Sequence, residues 1–270
     1  MSAMKIVVCV KQVPATESKL QVTMEGADIS RSGLSFVINP YDEFALEEAL
    51  QIKERLGTGE VTVLSMRPHA DQKPEEALRT CLAMGADKAV LLSDQAFDGG
   101  DAYTTALVLA AALRRLSFDL LLCGKQAVDD DGSTVGVQVA ELLGLPHVAV
   151  VNKLEINTAA RTVLAHRQIE GGIEVVEAPL PALITCQKGL NEPRYPTLPG
   201  IMKAKQKPLE IVTRETLGLP AETVGSAGAK QRVVRLELPP TRPVGRILEG
   251  DAATAVKELV RLLHDEAKVI

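Results

Sequence analysis

A chain of 270 residues with 46% hydrophobic content is long enough for one large domain with a full buried core. Aromatic residues make up only 3%, tryptophan is absent and the net charge is −5, so no nucleic-acid partner is expected. No apolar run approaches the ~20 residues of a membrane span, so no membrane insertion is expected either.

The first predicted element is the continuous apolar run "KIVVCV" (Lys5–Val10), the pattern of a strand buried on both faces. Its flanks resemble neither a signal peptide nor a transit sequence. After a polar stretch, "NPYDEFALEEALQIKERLG" predicts a helix capped by Asp42, with Ala45, Leu46, Ala49, Leu50 and Leu56 on one stripe and Gly57 at the exit. A strand over Glu60–Ser65, a helix opening at Pro74 and ending at Gly85, and the strand "DKAVLLS" follow. A long Ala- and Leu-rich helix then starts at Asp101. The fourth buried strand, Phe118–Gly124, feeds into "GKQAVDDDGSTVG" and a helix carrying Val135, Val139, Leu142 and Leu143, stopped by Gly144.

Beyond Pro146 the rhythm changes. Three apolar runs, the last taken as one stretch from Ile173 to Cys186, are separated by turns at 157–160 and 171–172 and predict an antiparallel meander. Residues 189–207 have no period and read as a surface loop. Residues 221–230 are small and polar and read as a linker, and 251–265 form an amphipathic helix whose apolar face needs a cover. The expected fold is α/β: a doubly wound, mostly parallel, Rossmann-like sheet with an added meander. A domain over 1–212 and a C-terminal extension over 213–270 are expected. The four cysteines (Cys9, Cys81, Cys123, Cys186) lack any C-x-x-C spacing and read as buried thiols in a reducing compartment, so the location expected is cytoplasmic.

In such sheets ligands gather at the carboxyl ends of the strands, which places residues 124–134 on the rim of a crevice. Gly132 and Gly136 permit close backbone approach, and Ser133 and Thr134 add hydroxyls. Three aspartates beside a phosphate-type helix start pose a conflict of charge. The expectation is that one caps the helix, one accepts from a ribose hydroxyl and one faces water. The same letters also fit a plain acidic cap on a surface helix. No G-x-G-x-x-G or Walker pattern is present.

Taken with "VCVKQVP", "NPYDEFALEEAL", "HRQIEGGIEV" and "LNEPRYPTLPGIMKAKQKP", the motif "GKQAVDDDGSTVG" resembles the beta subunit of electron-transfer flavoproteins, in family order from residue 4 to about 212. The resemblance implies a heterodimer whose alpha subunit holds a redox-active FAD, while this chain holds an adenine nucleotide. That nucleotide is AMP in the common form and a second FAD, reduced by NADH, in flavin-bifurcating relatives. The triple aspartate follows the AMP pattern and Val135–Gly136 the other; AMP is the expectation and the second FAD the alternative. The implied cofactor contacts are Cys9, then Asn39, Pro40, Tyr41 and Asp42, then Met66. They continue through Gly124, Lys125, Gln126, Ala127, Val128, Asp129, Asp130, Asp131, Gly132, Ser133, Thr134 and Val135.

The resemblance further implies that Arg167 supports the subunit and domain contacts. Relatives often follow it with a Glu that pairs with the moving flavin domain; Gln168 stands there in this chain, and Glu170 is the substitute for that pairing. Thr16 falls near the alpha-subunit flavin. The loop 189–207 resembles a recognition loop for electron-donating dehydrogenases, with Leu198 as its apolar tip and Lys203, Lys205 and Lys207 steering acidic partners. The bland readings are an exposed strand arginine, a core-packing leucine and a solvated charged run. The four histidines (His69, His147, His166, His264) show no metal spacing, and no catalytic side chain is expected. The implied role is a non-enzymatic carrier between acyl-CoA or other flavin dehydrogenases and a quinone oxidoreductase. A stand-alone ATP-binding or ATP-hydrolysing domain is the alternative of another class.

Overall fold

Runs of branched aliphatic residues build the sheet, because Val and Ile fill a pleated surface that is covered on both faces. The computed structural model describes residues 3–24, 26–67, 73–240 and 244–270. Strand β1 (Met4–Cys9) leads into a small antiparallel ribbon, β2 (Gln12–Pro14) with β3 (Phe36–Ile38), and then into helix α1 (Pro40–Leu56). Next come β4 (Gly59–Met66), α2 (Pro74–Met84), β5 (Lys88–Leu92), α3 (Ala102–Leu113), β6 (Leu120–Gly124) and α4 (Val135–Leu143). The hairpin strands β7 (His147–Asn157), β8 (Thr162–Ile169) and β9 (Gly172–Pro179) precede β10 (Ala182–Cys186). Then follow α5 (Leu198–Ala204), β11 (Leu209–Val212), the single turns α6 (Arg214–Leu217) and α7 (Gly225–Gly228), and α8 (Ala252–Arg261).

The nine-stranded sheet runs in the order β11-β5-β4-β1-β6-β10-β7-β8-β9. It is parallel from β11 to β7 and antiparallel over the last two pairings. One core packs α1 and α2 on Ile6, Val8, Val61, Val63 and Leu122. The other packs α3 and α4 on Val7, Leu64, Leu121 and Leu183. The expected mostly parallel, doubly wound α/β fold is present.

Three expectations need correction, and one strand was not expected. Residues 173–186 are two strands, not one: β9 ends the meander, and β10 returns to the centre of the sheet, parallel to both β6 and β7. Every residue of β10 is buried whereas β9 is largely exposed, and only a strand covered on both faces can be apolar at consecutive positions. The loop 189–207 contains α5, started by Thr197, whose hydroxyl accepts the Gly200 N–H at 3.1 Å. Residues 221–230 are docked rather than loose: Val224 is fully buried, and the Asp101 carboxylate accepts the N–H groups of Lys230 and Gln231. Residues 209–212, too short to stand out, form the edge strand β11 beside β5.

Candidate functional site

The carboxyl ends of β4, β1 and β6 lie side by side and carry Met66, Cys9 and Gly124. The first turn of α1 is drawn over them. Asp42 does not cap this helix, which opens on Asn39 and Pro40 with no side-chain cap. Its buried carboxylate instead accepts the Lys11 N–H at 2.7 Å and the Gly124 N–H at 2.9 Å, joining β1 to β6. Burial pushes the Asp42 carboxyl up to about 7, against the lowering effect of those donors. A side chain on Gly124 would lie 2.3 Å from Asp42 Oδ1, so this close approach requires glycine.

Asn39 grips the following loop. Its Nδ2 donates to the Gln126 carbonyl at 2.9 Å and its Oδ1 accepts the Val128 N–H at 3.1 Å. Asn39 and Asp42, expected as base and ribose contacts, therefore use their polar atoms on the protein's own backbone. Ala127 N–H closes the loop onto the Gly132 carbonyl at 3.0 Å.

Each of the three aspartates has an internal partner. Asp129 and Asp130 pair with Lys11 Nζ at 2.8 and 3.5 Å, and Asp130 also accepts the Gly132 N–H at 2.8 Å. Asp131, in the left-handed region at φ 51°, accepts from Gln126 Nε2 at 2.8 Å. None caps α4, whose N-cap Thr134 makes no side-chain cap bond and whose first turn carries no acid. The expected helix cap is thus absent, and the aspartates make protein contacts instead of capping α4. The conflict of charge is eased because Lys11 compensates one acid and a glycine amide and a glutamine hold the others by hydrogen bonds.

What remains is a helix start whose backbone N–H groups lack a side-chain acceptor, an arrangement that favours an anion. Gly136 lets this turn approach the sheet, since a Cβ there would sit 3.3 Å from Thr185 Cγ2. Lys125 holds its ammonium over the Tyr41 ring, 5.0 Å from the centroid. Half-buried Cys9 hydrogen-bonds to Cys123, and this contact together with burial pushes the Cys123 thiol up. Cys9, Met66 and Gly124 at the strand ends, and the loop that leads to the uncapped start of α4, thus share the carboxyl edge of the sheet. Among the described residues no His, Cys, Asp or Glu cluster could hold a metal, and no helix is long and apolar enough to cross a membrane. His69 lies outside the described residues.

The sequence model of the electron transfer flavoprotein domain matches residues 27–217. The electron transfer flavoprotein subunit beta of Bacillus subtilis is 42% identical over 268 residues, covering 99% of this chain and all of the relative. The chain belongs to the electron transfer flavoprotein beta-subunit family. Also similar are the caffeyl-CoA reductase-Etf complex subunit CarD of Acetobacterium woodii, 40% identical, with 98% of each chain covered, and the acryloyl-CoA reductase electron transfer subunit gamma of Anaerotignum propionicum, 38% identical, with 95% of this chain and 97% of the relative covered.

The remaining family-implied residues lie away from the crevice. Leu198 opens α5 and is exposed, as are Tyr195 and Met202, so Leu198 is not a core-packing leucine. Lys203 lies in the same short helix. Lys207 is no free steering charge: its ammonium donates to the Leu82 and Ala86 carbonyls at 2.9 and 2.6 Å, and burial lowers its pKa. On β8, Arg167 donates to the Ala149 carbonyl and pairs with Glu174 at 3.1 Å. The β8–β9 register sets Arg167 opposite Glu174. Sequence reasoning missed Asn191 and Arg194, which bind the α1 carboxylates Glu48, Glu47 and Glu54. The signal was there, in the acids spaced two turns apart in "EEALQIKE" and the Asn and Arg of "NEPR".

Proposed function

We propose that this chain is the electron-transfer beta subunit of a heterodimer and holds AMP at the carboxyl edge of its parallel sheet. The Ser133, Thr134 and Val135 amides and the two hydroxyls would take the phosphate. Cys9, Pro40, Tyr41 and Met66 would border the adenosine, with Lys125 adding positive charge. Gly124 to Gly132 supply the backbone frame, held by Asn39 and Asp42. FAD, carried mainly by an alpha subunit, supplies the redox chemistry between acyl-CoA or other flavin dehydrogenases and a quinone oxidoreductase. This chain carries no catalytic side chain in that scheme; it braces the pair, presents α5 with Leu198 and Lys203 to the dehydrogenase, and lays the extension from 213 onward, with α8, on the alpha subunit. Arg167 supports the contact between subunits.

The uncapped start of α4, with all three aspartates turned aside, is the observation that carries this reading. A second reading, a bifurcating subunit with a second FAD reduced by NADH, draws support from the relatives named as reductase-complex subunits and from Val135–Gly136. Denaturing the co-purified pair and identifying the released nucleotides tests both. One AMP per heterodimer with one FAD supports the first, and two FADs support the second. Loss of neither nucleotide on Thr134→Asp substitution would overturn the placement. ATP turnover by this chain alone would replace both readings with a hydrolase.

A further inference from the structure

We infer that Arg194 is the positioning residue of the docking face, an inference that rests on the proposed role of α5. The face is open to solvent: Tyr195, Leu198 and Met202 are 90, 79 and 72% exposed, all within one short stretch. Such side chains bind well only if the backbone beneath them is already in place, because ordering a loop on contact subtracts from affinity.

Arg194 immediately precedes this stretch and ties it to α1. Its Nε and Nη2 donate to the two Glu47 oxygens at 2.8 and 2.9 Å. Its Nη1 and Nη2 reach the Glu54 oxygens at 2.6 and 3.0 Å. Its backbone N–H also donates to Glu47 Oε2 at 3.1 Å, so the main chain itself is fixed at the entry to the face. One planar guanidinium thus spans two turns of α1, a geometry that a lysine ammonium cannot reproduce.

The surrounding charges agree. Burial raises the Glu47 carboxyl, but the bonds from Arg194 and Gln51 outweigh it and hold the group below its usual range. Glu54, hydrogen-bonded by Arg194, is lowered as well, and the two acids hold the guanidinium above its ordinary value. Asn191 adds a second tie, donating to the Phe44 carbonyl at 3.0 Å and to Glu48 at 3.2 Å. At the far end Arg79 grips the Ala204 and Lys207 carbonyls at 2.6 and 2.9 Å. The docking stretch is held at both ends, and at its entrance by Arg194.

The test uses the purified heterodimer and an acyl-CoA dehydrogenase reduced by its own substrate. Arg194→Lys keeps the Glu47 charge compensated but loses the fork. KM for the heterodimer should rise roughly fivefold with kcat within about twofold, bound nucleotide unchanged and faster amide exchange over 198–204. Lys53→Gln removes an α1 ion pair to Asp87 that does not touch the docking stretch, and should leave KM as it was. If Arg194→Lys does not fold, Glu54→Gln, which spares the Glu47 bonds, should raise KM roughly twofold. A folded Arg194→Lys protein with wild-type KM and wild-type exchange over 198–204 overturns the inference. A wild-type heterodimer that takes no electrons from the dehydrogenase overturns the docking role instead, and the exchange measurement then still decides what Arg194 does.

Discussion

The acidic loop at 125–134 and the docking stretch at 190–204 both lie outside the sheet, and both are fastened to α1, but by opposite means. The acidic loop is held at the N-terminal end of α1 through Asn39 and Asp42, whose side chains bond to backbone groups in a buried setting. The docking stretch is held further along by guanidinium–carboxylate pairs that run from the buried Glu47 to the exposed Glu54. A loop whose product is a set of aimed amides needs its backbone fixed and dry. A stretch whose product is a set of projecting side chains needs its backbone braced from beneath and its outer face free. The difference lies in the chemistry of the ties, and it can be broken one tie at a time.

The largest effect should come from Gly124→Ala, which sets a Cβ 2.3 Å from Asp42 Oδ1 and 2.7 Å from the Tyr41 carbonyl carbon. Overpacking against backbone at a junction of β6 and α1 should cost about 3 kcal/mol in chemical denaturation and empty the nucleotide site. Asp42→Asn comes next, since an amide must point one N–H group at a backbone N–H; a loss of about 2 kcal/mol is expected. The same variant should change the pH profile. Because burial raises Asp42 from 3.8 to about 7, its contribution is full below pH 3.8 and is lost as pH rises through about 7. Wild-type melting should therefore decline over that window relative to the variant, and parallel pH profiles would contradict the buried ionisable bridge.

Thr134→Asp should act in the opposite direction on folding. A carboxylate in the empty first turn of α4 should stabilise the apo chain by about 0.5 kcal/mol while repelling the nucleotide phosphate. A gain in melting temperature with loss of bound nucleotide separates anion binding from fold support; retained nucleotide counts against the phosphate site. The smallest effect belongs to Arg167→Ala, where a half-exposed pair with Glu174 is removed. Melting should change by the equivalent of about 0.5 kcal/mol, with any larger effect appearing in heterodimer affinity, measured by calorimetry.

The parallel half of the fold was legible because its strands are short apolar runs and its helices carry clear stops at Gly57, Gly85 and Gly144. The position of β10 was not. "ALITC" follows the meander without a helix to announce a crossover, so adjacency in sequence was taken for adjacency in space. The crevice could be placed from the strand ends, but the partners of Asp129, Asp130 and Asp131 depend on Lys11, more than a hundred residues away, and on a turn at φ 51°. Asn39 and Asp42 were legible as residues of the crevice, but their bonds to the Lys11, Gly124, Gln126 and Val128 backbone were not, because those partners are distant in sequence. Arg194 escaped notice because its acids belong to a helix that looked sufficient as an amphipathic surface element.

The return of β10 to the middle of the sheet bears on how the chain is made. Until Ala182–Cys186 have left the ribosome, the outer edge of β6 has no neighbour and α4 covers a half-finished floor. Every nascent chain therefore carries an open strand edge through the synthesis of the whole meander, and translation must outrun its pairing with the wrong segment.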